Sequence, residues 1–220
     1  MKGIIFDLDG VICSTDEYHY KAWNELAKKI GIMDFTRKDN DRQRGISRME
    51  SLEVVLEKTS IIYKEEEKIS LAEIKNKLYC EMLKKMSEKD LSDEVKQTLI
   101  TLRERGYKLA IGSSSKNTKI ILKRIGLENF FDAISDGNNI THSKPDPEVF
   151  IKATDSLELL PKECYVVEDA KAGIDAAKAG GFTGIGIGDA SKYEKADFKI
   201  NHFKDLLQII KEMDYNRLSY

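Results

Sequence analysis

Cysteine is scarce in this chain, with Cys13, Cys80 and Cys164 the only three among 220 residues. Three scattered thiols supply neither a disulfide framework nor a zinc site, so the fold has to be held by its core. The length suffices for that, since a chain of this size buries roughly 70–75% of the surface it exposes when unfolded. Charge of one sign is also lacking. Lys plus Arg number 36 against 38 Asp plus Glu, a formal charge of −2, which gives no basic footprint for nucleic acid. Long apolar runs are missing too. The opening MKGIIFDLDG breaks its run at Asp7 after four residues, too short for the core of a secretory leader. No stretch approaches the roughly 20 apolar residues of a membrane span. These absences lead us to expect a soluble cytoplasmic protein with neither nucleic-acid nor membrane partners. With 41% apolar and 34% charged residues, the composition also excludes disorder.

What is present is a series of short apolar runs ending in small or acidic residues: 3–6, 108–111, 164–167 and 184–187. Continuous rather than alternating apolarity marks strands buried on both faces, as in a parallel sheet. Between the runs lie helical patterns. Thr118, Ile121, Leu122 and Ile125 fall at helical spacing before Gly126. Pro147 opens a segment to Leu157 with Val149, Phe150 and Ala153 inward, and 170–179 closes at Gly180–Gly181. Repeated strand–helix–strand units predict an α/β fold with a doubly wound parallel sheet.

Residues 15–87 read differently. They contain no strand-like run, only Lys- and Glu-rich helical patterns such as 18–30 (Ala22, Trp23, Leu26, Ile30) and 71–86 (Ile74, Leu78, Met82). The order predicts a four-helix cap domain over 15–87, inserted after the first strand of a core made of 1–14 and 88–220. The stretch from Asn201 reads as a last helix without chemistry.

Ligands of such sheets bind off the C-terminal strand ends. The strand at 3–6 delivers Asp7, Asp9 and Gly10 there. The strand at 108–111 delivers Ser113, Ser114, Ser115, Lys116 and Asn117, and the strand at 164–167 delivers Glu168 and Asp169. A loop between the last two offers Lys144. Four converging carboxylates repel one another unless a hard cation joins them, and oxygen-only ligation suits Mg²⁺. Ser113, Lys144 and the N–H groups of the Ser-rich turn suit phosphate oxygens. An anion site beside a metal site with a spare carboxylate points to phosphoryl transfer. Asp7, first out of the strand, is placed to attack phosphorus while touching Mg²⁺, and Asp9 to trade a proton with an ester oxygen. His142, His202 and the three cysteines carry no evident chemistry.

FDLDG, the Ser113 turn, the Lys144 loop and the Glu168–Asp169 pair resemble the four motifs of the haloacid-dehalogenase-like phosphotransferases. Within that superfamily the chain is similar to the β-phosphoglucomutase family. The segments that carry this are FDLDGVI at 6–12, TDEYHYKAW at 15–23, RGISRMESL at 44–52, SSSKN at 113–117, SKPDPEVF at 143–150 and VVEDAKAGI at 166–174. The resemblance implies a HAD-like, Rossmann-type core and a mutase that interconverts β-D-glucose 1-phosphate and glucose 6-phosphate. β-Glucose 1,6-bisphosphate would be primer and intermediate, and Asp7 the phosphorylated nucleophile. It implies Mg²⁺ on Asp7, Asp9 (through its carbonyl), Glu168 and Asp169. Ser113 and Lys144 would hold the transferring phosphoryl group, and Ser114, where the family has a small apolar residue, would line the same phosphate and substrate site. Arg48, Ser115, Lys116 and Asn117, with Gly45, Ile46, Ser47, Ser51, Trp23 and Lys75, would hold the distal phosphate and sugar. Thr15 and His19 would couple cap closure to binding. Ser14 stands where the family commonly has an acidic residue. A closing cap is expected to serve a monomer. The alternative reading is a Mg-dependent sugar-phosphate phosphatase built from the same parts, in which water resolves the phospho-aspartate.

Overall fold

The computed structural model describes residues 2–218. Strand β1 (Gly3–Phe6) is followed by helices α1 (Asp16–Lys29), α2 (Arg37–Asp41), α3 (Arg48–Leu56), α4 (Glu65–Leu83) and α5 (Asp93–Glu104). Then come β2 (Lys108–Gly112), α6 (Thr118–Arg124), β3 (Ala133–Ser135), α7 (Glu148–Ser156) and β4 (Cys164–Glu168). The series ends with α8 (Lys171–Ala179), β5 (Thr183–Gly186), β6 (Phe198–Lys199) and α9 (Leu206–Leu218). All pairings are parallel, and the six strands lie in the order β3-β2-β1-β4-β5-β6. The order reverses between β1 and β4, the switch point at which an open α/β sheet leaves a crevice.

The strand runs are continuous in apolarity because each face of the sheet has its own core. On β1, Ile4 and Phe6 join one cluster with Leu109, Ile111, Tyr165 and Val167. Ile5 points the other way and packs with Ala110, Phe150, Ala153 and Val166. This is the two-residue alternation of a strand, with helices covering both sides. Each fully buried Ile or Phe contributes about 1.5–3 kcal/mol. The predicted strands at 3–6, 108–111 and 164–167 therefore match β1, β2 and β4, and 184–187 lies one residue late against β5. Strands β3 and β6, of three and two residues, were not anticipated. Nor was α5.

Four helices do separate β1 from α5. They enclose a core of their own, in which Trp23, Leu26, Ile32, Phe35, Leu52 and Val55 are buried together. Helix α4 begins earlier than its apolar pattern, at Glu65, because three glutamates in the first turn favour the positive helix end. Its far end, with Tyr79 and Leu83, enters the main core beside Ala22 of α1 and Leu8. No described helix is long and apolar enough to cross a membrane.

Candidate active site

Beyond β1 the chain keeps its sheet pairing for one residue, with the Asp7 N–H donating to the Val167 carbonyl at 3.0 Å. Leu8 is fully buried in the same cluster as Phe6, so Asp7 and Asp9 share the opposite side of the strand. The turn then closes on itself: Gly10 N–H donates to the Cys13 carbonyl at 2.8 Å, and Ile12 N–H to that of Leu8 at 3.0 Å. Gly10 has φ +90°, and a Cβ there would sit 2.2 Å from Asp169 Oδ2. Only glycine lets the turn lie this close to the Asp169 carboxylate.

Lys144 reaches the centre from the loop before α7. Its side chain is fully buried, with Nζ 2.5 Å from both Asp7 Oδ1 and Glu168 Oε1. Glu168 Oε2 accepts from the Ala170 N–H at 3.0 Å. Asp7, Glu168 and Asp169 each offer an oxygen, all within 4.8 Å of one another. One ammonium cannot satisfy so many buried carboxylates. Burial, then the charges of Glu168 and Asp7, pushes Asp169 up to about 8. Burial also raises Glu168, against the pull of Lys144. For Lys144, burial opposes the charge, but Asp7 and Glu168 outweigh it and hold it a cation. Burial, then Asp7, lifts Asp9 to about 6. The donor set is all oxygen, short of positive charge and compact, which fits a hard divalent cation.

That shortage sets a pH dependence. Acids raised on folding stabilise the protein at low pH and cease to do so as pH rises through their folded values, here about 6 for Asp9 and about 8 for Asp169. Without metal, stability is therefore expected to fall from about pH 4, the ordinary carboxylate value, to about pH 8, with the share of Asp9 lost by about pH 6. Ligands must be deprotonated to bind metal, so the rise in Tm on adding Mg²⁺ should be larger at about pH 8 than at about pH 5.5. Thermal melts with Mg²⁺ or with EDTA check this; a Mg²⁺ effect equal at both values would contradict it.

The Ser113–Asn117 loop is folded by its own side chains. Ser113 Oγ accepts from the Ser115 N–H and Ser115 Oγ from the Asn117 N–H, both at 3.2 Å. Ser114 Oγ donates to the Gly45 carbonyl at 3.1 Å, and Asn117 Nδ2 to Asn76 Oδ1 of α4 at 2.9 Å. Across the cleft, half-buried Arg48 opens α3 and makes no ion pair with any described residue. Burial lowers its pKa against nearby acidic groups. Ser47 caps α3: its Oγ accepts from the Glu50 N–H while its own N–H donates to Glu50 Oε2.

Thr15, fully buried at the start of α1, donates to Asp9 Oδ1. Lys75 Nζ is 2.8 Å from His19 Nδ1 and 4.6 Å from the centroids of both Trp23 and Tyr79. Burial, then Arg48, brings Lys75 down to about 7, and burial with Lys75 and Arg48 keeps His19 neutral. Lys75 and the imidazole thus share a partly buried hydrogen bond. Trp23 is a core residue whose face carries this lysine.

A cleft of about 650 Å³ gathers Asp7, Asp9, Asp169, Ser113–Asn117, Gly45–Arg48, Ser51, Thr15, His19, Trp23 and Lys75. Glu168 and Lys144 lie just beneath it. Residues that the sequence reading did not single out also line it, among them Asn40, Gln43, Arg44 and Asn76. Arg44 joins cap to core, with Nη1 2.9 Å from Asp189 Oδ2 beyond β5. Its position directly before Gly45 was the available signal.

A model of the haloacid dehalogenase-like hydrolases matches residues 4–187. The chain belongs to this family. Among individual haloacid dehalogenase-like proteins, it is 38% identical over 215 residues to the β-phosphoglucomutase of Bacillus subtilis, spanning 96% of this chain and 95% of that one. A crystal structure of β-phosphoglucomutase from Clostridium difficile superposes with a TM-score of 0.91 at 36% identity, covering 100% of both chains. The phosphorylated carbohydrates phosphatase of Thermotoga maritima is 29% identical, over 84% of each chain. The core expected from the strand ends is thus the core of a family that implies a divalent metal ion.

Proposed function

We propose that this chain is a β-phosphoglucomutase, interconverting β-D-glucose 1-phosphate and glucose 6-phosphate through a phosphorylated Asp7. One observation carries the reading: the cleft has a cationic side chain at each of two poles. Lys144 and Ser113 stand at the nucleophile, where a divalent cation would make up the positive charge the carboxylates lack, and Arg48 stands at the other pole with Glu73 nearby but in no ion pair with any described residue. A cleft so arranged receives a sugar bearing a phosphate at each end. Its likeness to the two β-phosphoglucomutases agrees with this. Sugar phosphates are the substrate class, and β-glucose 1,6-bisphosphate is the primer.

Asp7, Glu168, Asp169 and the Asp9 carbonyl would hold Mg²⁺, which neutralises the carboxylates and draws charge from the phosphoryl oxygens when bound. Phospho-Asp7 gives its phosphoryl group to the C6 hydroxyl of β-glucose 1-phosphate. The new O6–P bond forms as the aspartyl O–P bond breaks, and Asp9 takes the hydroxyl proton. With the bisphosphate turned end for end, Asp7 attacks the phosphorus on C1. The O1–P bond breaks, and Asp9 returns its proton to O1. A group lifted to about 6 by burial is poised to do both.

Water competes with the sugar hydroxyl at every cycle. The helices of 15–87 act as a cap over the core of 1–14 and 88–220 and exclude it. Thr15, reaching Asp9 from the base of α1, ties the position of the general acid to the cap. Arg48→Ala is expected to lower kcat/KM for β-glucose 1-phosphate by about 10–100-fold, the worth of a hydrogen bond to a charged group. Phosphorylation of Asp7 by acetyl phosphate, which has no distal group, should change by less than about twofold. Equal losses on both would overturn the two-pole reading.

A further inference from the structure

The anion loop after β2 is tied from its far side by a turn to which the mechanism assigns nothing. Asp136, Gly137 and Asn138 follow β3, the strand beyond β2 in the sheet. The Gly137 N–H donates to the Ser115 carbonyl at 3.1 Å, and Asn138 Nδ2 donates to that of Lys116 at 2.9 Å. Asp136, 4% exposed, holds Asn138 in place: its Oδ1 accepts from the Asn138 N–H at 2.9 Å and from Nδ2 at 3.0 Å. Asp136 N–H is itself fixed, donating to Asn139 Oδ1 at 2.9 Å. The fit is close, since a Cβ on Gly137 would lie 2.4 Å from the Ser114 carbonyl oxygen and 3.0 Å from Lys116 N.

A trans peptide is planar, with its C=O and N–H pointing in opposite directions. Drawing the Ser115 carbonyl toward the turn after β3 therefore points the Lys116 N–H away from that turn. The Lys116 N–H donates to no acceptor among the described residues, and Lys116 lines the cleft. A buried carboxylate near an anion site would ordinarily weaken it by repulsion. Here Asp136 acts through neutral amides, converting its charge into the orientation of a donor.

We infer that the Asp136–Asn138 turn is a positioning element for substrate. By anchoring two successive carbonyls, it aims the Lys116 backbone N–H at a phosphate oxygen of the bound sugar phosphate. The inference rests on the proposed sugar-phosphate site but not on the isomerisation. It does not require Asp7 chemistry, so it separates binding from turnover.

The test uses the Mg²⁺-loaded full chain, glucose 6-phosphate as the probe, and the Lys116 amide resonance in ¹H–¹⁵N spectra. In the unsubstituted protein that resonance should move with saturation by the ester. Gly137→Ala, which pushes the loop off its anchor, should weaken the ester's binding and raise KM by about tenfold or more. Asn138→Ala removes one tie at an exposed position and should raise KM by about threefold, with kcat and acetyl phosphate turnover within about twofold for both variants. An unmoved Lys116 amide at saturation would overturn the inference. So would losses on acetyl phosphate as large as those on the ester, which mark general damage to the loop. Ester binding with the expected Lys116 shift but no isomerisation would sustain this inference and refute the mutase.

Discussion

Replacing Asp9 by asparagine is expected to lower mutase turnover by about 10²–10⁴-fold, the usual worth of a general acid–base group. Asparagine keeps the shape and accepts a hydrogen bond from Thr15 in place of the carboxylate, but it holds no proton to give. Mg²⁺ affinity should be largely retained, because the Asp9 backbone carbonyl remains and the compact oxygen set is that of Asp7, Glu168 and Asp169. Asp7→Asn removes both the nucleophile and a carboxylate of that set, so it should lose phosphoenzyme and metal affinity together. Titrations with Mg²⁺ on the two variants, beside single-turnover phosphorylation, separate the roles. If Asp9→Asn loses Mg²⁺ as severely as Asp7→Asn, the division between nucleophile and acid–base group is wrong.

The largest effect on stability is expected at Lys144. Its ammonium is fully buried between Asp7 and Glu168, 2.5 Å from each. Lys144→Met preserves most of the side-chain volume and strands the two carboxylates. Breaking a buried charge cluster in this way costs about 3–5 kcal/mol, a large share of the roughly 5–15 kcal/mol that holds a domain together. Stranded carboxylates can take up protons, so the loss should be greater at about pH 8 than at about pH 6. Mg²⁺ supplies the missing positive charge and should recover part of it. Urea denaturation in EDTA and in Mg²⁺ measures both. A metal-free loss under about 1 kcal/mol would mean that the carboxylates are satisfied without the lysine.

How much of this could be read from residues alone follows from what each feature depends on. Strands β1, β2 and β4 were legible because both faces are covered, which makes their apolarity continuous. Strands β3 and β6 are too short to show any period, and β3 exists because β2 offers it an edge. Asp7, Asp9, Ser113, Lys144, Glu168 and Asp169 were legible because each leaves a strand end or its following loop, and a parallel sheet gathers those ends on one side. Arg44 with Asp189, and Asn76 with Asn117, were not. Those pairs come together only when the helices of 15–87 sit on the core, and no local pattern encodes that docking. The same holds for Asp136–Asn138, whose role comes from β3 lying next to β2. Trp23 and Ser47 show that one residue can serve both purposes. Both line the cleft as their segments suggested, but each also has a structural task, one packed in the cap core and the other capping α3.

A mutase keeps phosphate on the sugar, so the direct test gives purified protein Mg²⁺ and β-glucose 1-phosphate, with and without β-glucose 1,6-bisphosphate. Glucose 6-phosphate is followed through glucose 6-phosphate dehydrogenase, and free phosphate is measured alongside. Formation of glucose 6-phosphate that depends on the bisphosphate, with little phosphate released, is the expected result. Phosphate release without isomerisation would contradict it and place the chain among the sugar-phosphate phosphatases.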